Sequence, residues 1–225
     1  MRTYLQSFLH LLFPKLCASC DSTLLVDEEL ICTSCLYHLP FTDFHLDKSN
    51  ETAQQLWGKL SFDKAISMLH LSKSSRVELL MHRLKYKNMP EIGHYFGQRY
   101  GKTIKPYFEN VDYIIPIPIH KSKYLKRGYN QAAEFARGLS DGLDIPLKEN
   151  LLERSISSIS QIQKTRSERY ENVKDVFQIN EHSLLDGKYI ILVDDVLTTG
   201  ATICEAGNLL IAAGAKVSVI TLARA

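Results

Sequence analysis

The chain has 225 residues, 45% of them apolar and 23% charged, with 11 Gly and 7 Pro. This composition excludes collagen-like, mucin-like and wholly disordered chains and predicts one medium globular domain carrying at most a small appendage. Lys and Arg number 27 against 25 Asp and Glu, a formal net charge of +2, so attraction to nucleic acid has to come from local patches rather than from the field of the whole molecule.

In chain order, the first apolar stretch runs from Tyr4 to Phe13 and is broken by Gln6, Ser7 and His10. It falls well short of the ~18 to 20 apolar residues of a membrane helix. With Arg2 before it and Ala18-Ser19-Cys20 after it, it imitates a signal peptide, but it ends in Phe13-Pro14-Lys15 without small residues at a plausible cut. It reads as an amphipathic N-terminal helix docking on the body, and the protein as cytoplasmic.

Cys17-Ala18-Ser19-Cys20 and Cys32-Thr33-Ser34-Cys35 follow, separated by eleven residues. Each pair presents two thiolates on one turn, and two such knuckles close a tetrahedral four-sulfur site, the preference of structural zinc. Two disulfides would leave Cys204 over and need an oxidising compartment. A redox pair needs one such motif at a helix start rather than two in series, and an iron–sulfur cluster has no further support in the sequence. Cys204 itself reads as a packed, inert thiol.

Residues 38 to 60 show no clear period and read as a linker or loosely packed connection. Val77, Leu80, Met81 and Leu84 then recur at helical spacing and lead into Lys85-Tyr86-Lys87, and a second helix is expected from Glu91 to about Ile104. Tyr113-Ile114-Ile115-Pro116-Ile117-Pro118 suits the end of a strand, with a loop beginning there. A helix is expected over residues 129 to 143 and a buried parallel strand from Tyr189 to Val193. Another helix is expected from Ile203 to Ala212, stopped by Gly214, then a strand from Val217 to Leu222. Strands alternating with helices predict an α/β fold with a mostly parallel sheet.

The chemistry concentrates in Asp194-Asp195-Val196-Leu197-Thr198-Thr199-Gly200-Ala201-Thr202. An apolar strand delivers two carboxylates to its end, where ligands bind in open α/β sheets, and a hydroxyl-rich turn leads straight into a helix. Backbone N–H groups and the hydroxyls of Thr198, Thr199 and Thr202 suit a phosphate, and the two acids suit two vicinal sugar hydroxyls, so the segment predicts a site for a ribose 5-phosphate. A Walker B reading lacks its partner, since Gly97 to Thr103 has three residues between its glycines instead of four and lies in a helical pattern. A receiver domain has no use for Thr-Thr-Gly, and a metal site made of the two aspartates leaves the threonines unexplained. Adjacent acids at a buried strand end cost stability unless a ligand or partners satisfy them, which argues against incidental charges.

This segment is similar to the phosphoribosyl diphosphate (PRPP) motif of type I phosphoribosyltransferases. Over nearly its full length the chain resembles the ComF family, which also contains the GntX proteins. The features that carry the resemblance are the double CxxC, Leu84-Lys85-Tyr86-Lys87, Ile115-Pro116-Ile117-Pro118-Ile119-His120 with Arg127-Gly128-Tyr129-Asn130-Gln131, and the PRPP motif with its Leu222-Ala223-Arg224 ending. A further one is Ser160-Gln161 followed by Arg166, Glu168, Arg169, Asn172, Val173 and Phe177. The resemblance implies an N-terminal helix and zinc module over residues 1–45 and a phosphoribosyltransferase-like domain over 46–225, with 46–110 as hood and connection. It implies that Asp194 and Asp195 hold the ribose hydroxyls and Thr198 to Thr202 the 5-phosphate. The loop carrying His120, Lys123 and Arg127 would face the diphosphate, with Mg²⁺ bound alongside PRPP. Lys123 stands where an arginine is common in the family, which keeps the charge and loses the bidentate fork. Lys121 and Lys126 read as solvated. Thr198 stands where 6-oxopurine enzymes of this fold carry a general-base aspartate, which disfavours purine salvage of that type.

Two function classes follow: a phosphoribosyl transferase for an unknown acceptor, and a PRPP-sensing or single-stranded-DNA-handling protein without turnover. The family's association with DNA uptake in natural transformation motivates the second. Its basic track would comprise Lys15, Lys85, Lys87, Arg154, Lys164, Arg166 and Arg169, with Tyr86 or Tyr129 for base stacking. Pairing of the arginines with Glu153, Glu168 and Glu171 is the plainer alternative.

Overall fold

The computed structural model describes residues 14–154 and 177–225. The expected N-terminal helix, and the arginine-rich segment up to Val173, lie outside the described residues. Six strands occur among those described: β1 (Ala65–His70), β2 (Tyr113–Pro116), β3 (Leu152–Arg154), β4 (Phe177–Ile179), β5 (Tyr189–Leu197) and β6 (Lys216–Arg224). β1, β6, β5 and β2 form one parallel sheet in that order, and β3 pairs antiparallel with β4. The helices are α1 (Thr33–Tyr37), α2 (Glu51–Leu56), α3 (Arg76–Tyr86), α4 (Glu91–Ile104), α5 (Lys121–Arg127), α6 (Gln131–Leu143) and α7 (Ala201–Ala212).

Both faces of the sheet are covered, as an all-parallel sheet requires. Along β5, Ile191 and Val193 join the side packed by α3, α4, α6 and the cysteine knuckles, and Ile190 and Leu192 join the side packed by α2, α7 and the β3–β4 pair. α3 forms as its spacing predicts. Ser75 caps it by accepting from the Glu78 N–H at 3.1 Å, and Val77, Leu80, Met81 and Leu84 are buried. α4 and α6 meet backbone to backbone through Gly93, Gly97 and Gly101 on one and Gly138 and Gly142 on the other; a Cβ at Gly101 would lie 2.9 Å from the Gly142 Cα. The segment that fails as a P-loop is therefore half of a helix-packing seam.

Four expectations are corrected. Residues 38–60 are not loose: α2 is capped by Asn50, whose Oδ1 accepts from Thr52 N at 2.9 Å and Ala53 N at 3.1 Å, and Leu56 is fully buried. The period was invisible because α2 has six residues and its buried Thr52 packs through hydroxyls. Thr52 Oγ1 lies 2.7 Å from Ser67 Oγ on β1, which lies 2.7 Å from Thr221 Oγ1 on β6. Within the segment expected as hood and connection, Ala65–His70 is an edge strand of the main sheet. The expected loop after Pro118 contains α5, which starts where His120 Nδ1 accepts from Ser122 N at 3.2 Å and ends at Gly128 with φ +84°. Finally, β5 does not stop at Val193. Its pairing with β6 continues through Asp194 opposite Thr221 to Leu197 opposite Arg224, so the acids lie within the strand.

Candidate functional site

Asp194 and Asp195 sit in the C-terminal half of β5. Asp195 lends its N–H to Asp194 Oδ1 at 2.8 Å, and its Oδ2 accepts from Lys85 Nζ at 2.9 Å. The Lys85 and Asp195 side chains are 23% and 18% exposed, so this pair is only weakly screened by solvent. Burial of its carboxyl and, next, the charge of Asp195 push the Asp194 pKa up to about 8. At neutral pH Asp194 therefore favours its protonated form, beside the Lys85–Asp195 pair.

After Leu197 the chain turns through Thr198, Thr199 and Gly200 into α7. Gly200, at φ +81°, is the N-cap residue, a backbone position that favours glycine. A small recess at this helix start is lined by Asp194, Val196, Leu197, Thr198, Thr199, Gly200, Ala201 and Thr202, where free N–H groups and the helix dipole favour an anion. The turn is held from behind: Gln55 on α2 donates its amide to the Thr198 carbonyl and accepts from Arg224 Nη2 at 3.3 Å, while Arg224 Nη1 pairs with Glu51.

The facing wall is α5 and the start of α6. A cleft of about 510 Å³ lies between, lined on one side by Asp194, Asp195, Val196, Thr198 and Thr202 and on the other by His120, Lys123 and Arg127. The residues expected at one site are thus brought together, with Thr199, Gly200, Ala201 and Leu197 in the adjoining recess. Arg127 donates to Gln131 Oε1 at 2.7 Å and lies 5.2 Å from the centre of the Tyr86 ring. Lys121 and Lys126 are exposed, as expected. Arg154 lines the cleft with its guanidinium 5.3 Å from the Phe177 ring centre.

Only part of the expected basic track falls among the described residues. Lys85 is turned into the cleft, Tyr129 uses its hydroxyl on the Leu84 carbonyl, and Lys164, Arg166 and Arg169 lie outside the described residues. Lys85, Gln55 and Arg224 are the site residues whose role sequence reasoning missed. In the sequence Lys85 stood in a segment carrying the resemblance and in the expected basic track, with nothing to set it against the acids, and Gln55 left no signal.

The knuckles form a second centre. The sulfurs of Cys17, Cys20, Cys32 and Cys35 all lie within 4.8 Å of one another, with Cys20 and Cys32 3.8 Å apart. Zn–S bonds of about 2.3 Å place tetrahedral sulfurs about 3.8 Å apart, so the cluster fits zinc. Backbone N–H groups point at the sulfurs, from Ser19 and Cys32 to Cys17 at 3.4 and 3.3 Å and from Cys35 to Cys32 at 3.4 Å. Arg83 on α3 ties the module to the body, pairing with Asp21 at 2.6 Å and reaching the Cys17 carbonyl at 3.4 Å. Cys204, on α7, packs against the second core, and burial raises its thiol pKa.

Parallel strand order, an acid pair within the strand and an anion recess at the next helix start define a phosphoribosyltransferase-type domain. The family model described as a phosphoribosyl transferase domain matches residues 125–225. Competence protein F of Haemophilus influenzae is 28% identical over 93% of this chain and 96% of its own length. Competence protein ComFC of Bacillus subtilis is 32% identical over 63% of this chain and 57% of its own, and the DNA utilization protein YhgH of Escherichia coli O157:H7 26% over 62% and 63%. Among solved structures, the glutamine PRPP amidotransferase of B. subtilis is 20% identical over 62% of this chain and 30% of its own, with a TM-score of 0.43. The chain thus joins a phosphoribosyltransferase fold to an N-terminal four-cysteine cluster, and is similar to these competence and DNA utilization proteins. Among the described residues no helix is long and apolar enough to cross a membrane.

Proposed function

We propose that the cleft binds PRPP and that the protein, acting in the cytoplasm, transfers its phosphoribosyl group to an acceptor. The observation that carries this is the convergence, in one cleft, of an acid pair, an anion recess at a helix start and a wall bearing His120, Lys123 and Arg127. In this reading the recess takes the 5-phosphate, Asp194 and Asp195 accept from the ribose hydroxyls, and the facing wall takes the diphosphate. The bond from the anomeric carbon to the diphosphate breaks, the diphosphate leaves with the electron pair, and the acceptor's lone pair forms the new bond as the acceptor gives up a proton. An all-oxygen donor set of two carboxylates and substrate oxygens suits Mg²⁺, which when bound supplies charge neutralisation of the leaving group. Thr198 offers no general base, so the acceptor is not a 6-oxopurine handled in the usual way.

PRPP with Mg²⁺ should stabilise the native fold by about 2.7 kcal/mol at a hundredfold excess over its dissociation constant, read as a thermal shift. Diphosphate release with a panel of bases and amines then separates turnover from binding alone. No shift at millimolar PRPP rules out the site.

A second reading, single-strand handling, is favoured by α5 and by the names of the competence and DNA utilization relatives. That helix buries none of its residues and carries Lys121, Lys123, Lys126 and Arg127 around Tyr124 and Leu125, which are 50% and 76% exposed. Exposed cations beside an exposed ring are what a flexible polyanion with stacking bases recognises.

A further inference from the structure

We propose that Lys85 makes the cleft select a diphosphorylated ribose over a plain sugar phosphate, by holding Asp195 in the empty cleft and passing to the diphosphate when one arrives. The inference rests on the PRPP reading of the cleft. Asp195 is the one anionic partner of Lys85 among the described residues, and Lys85 borders the same cleft as His120, Lys123 and Arg127. A sugar hydroxyl that takes over Asp195 Oδ2 strands a largely buried ammonium without a counter-ion, which is costly. Ribose 5-phosphate brings nothing to the diphosphate wall in return. PRPP brings an anion to which the ammonium can move, so the loss of one charge pair is offset by the gain of another.

The last turn of α3 is held in place for this. Leu84 accepts from the Tyr129 hydroxyl, and Tyr86 lies under Arg127 and accepts from its Nη2 at 3.4 Å. Three consecutive residues of one turn thus touch Tyr129, the acid dyad and Arg127. Lys85 can swing while its backbone stays fixed.

The test is titration calorimetry of the full chain with PRPP and with ribose 5-phosphate at one Mg²⁺ concentration, for the parent, Lys85→Met and Lys85→Arg. The parent should prefer PRPP. Lys85→Met should weaken PRPP about tenfold, the scale of one charge-assisted contact, and leave ribose 5-phosphate equal or tighter, whereas Lys85→Arg should keep the preference. Equal loss of both ligands would show that Lys85 only holds Asp195 in place, and unchanged affinities would show no role; either overturns the proposal. If Lys85→Met does not fold, Lys85→Gln, which keeps a donor for Asp195 without the charge, carries the same comparison. A parent that binds neither ligand fails the PRPP reading itself, a result distinct from a parent that binds both and a variant that loses both.

Discussion

Tyr129 donates its phenolic hydrogen to the backbone carbonyl of Leu84 at 2.5 Å, joining the last turn of α3 to the entry of α6 across 45 residues of chain. Two of the segments that carry the resemblance, Leu84-Lys85-Tyr86-Lys87 and Arg127-Gly128-Tyr129-Asn130-Gln131, are thereby one wall. Tyr129→Phe keeps the ring and leaves the carbonyl without its partner, so it should cost about 1 kcal/mol in chemical denaturation. It should also weaken PRPP binding, because Lys85 and Tyr86 ride on the same turn. A variant with parental stability and affinity would show that the bond is idle.

One zinc per chain is expected in protein purified under reducing conditions, measured by elemental analysis. Cys32→Ala with Cys35→Ala should remove it. Because Cys17, Ala18, Leu24, Ile31 and Cys35 belong to the core on one face of the sheet, chelation should lower the melting temperature of the whole protein rather than release a detached module. Unchanged metal content in the double variant excludes these ligands.

Asp194 makes stability pH-dependent. Its folded pKa, near 8, lies above the ordinary value, so the folded state binds more protons than the unfolded one between about pH 4 and pH 8, and this residue's contribution is lost as pH rises through that window. Asp194→Asn should therefore stabilise the unliganded protein at pH 8.5 by about 1 to 3 kcal/mol and change little at pH 4. With Asp195→Asn added, the response to PRPP should vanish while the fold survives. Parallel stability curves for parent and Asp194→Asn across this range contradict the assignment.

The α4–α6 seam should tolerate no side chain. A Cβ on Gly138 would overlap the His94 carbonyl and press on the Gln98 N and the Gly97 Cα, all backbone atoms. Gly138→Ala should cost about 1 to 3 kcal/mol by overpacking, despite the better helix propensity of alanine. Urea unfolding decides it, and a stabilised variant would mean the helices can separate freely.

If α5 handles single strands, Lys121→Gln with Lys126→Gln should lower the log–log salt slope of binding by about 1.4, at ~0.7 per lost phosphate contact. These two lysines do not line the cleft, so the PRPP thermal shift should not move. Fluorescence anisotropy with a labelled oligonucleotide reads the slope, and absence of salt-sensitive binding by the parent leaves the transferase reading alone.

The local sequence determined what short-range physics encodes. The apolar run into Asp194-Asp195, the glycine that starts α7, the 3.6-residue spacing of α3 and the ligand spacing of the four cysteines each depend on residues within a turn or two of one another. Tertiary structure alone decided which distant groups meet. Lys85 lies 110 residues from Asp195 in the chain, and a lysine in the last turn of a helix is as apt to face water as a carboxylate; only the packing of α3 on the sheet turns it inward. The Glu51–Arg224–Gln55 brace behind Thr198 was hidden because α2 is too short to show a period and packs through buried hydroxyls, whose partners on β1 and β6 exist only once those strands are side by side.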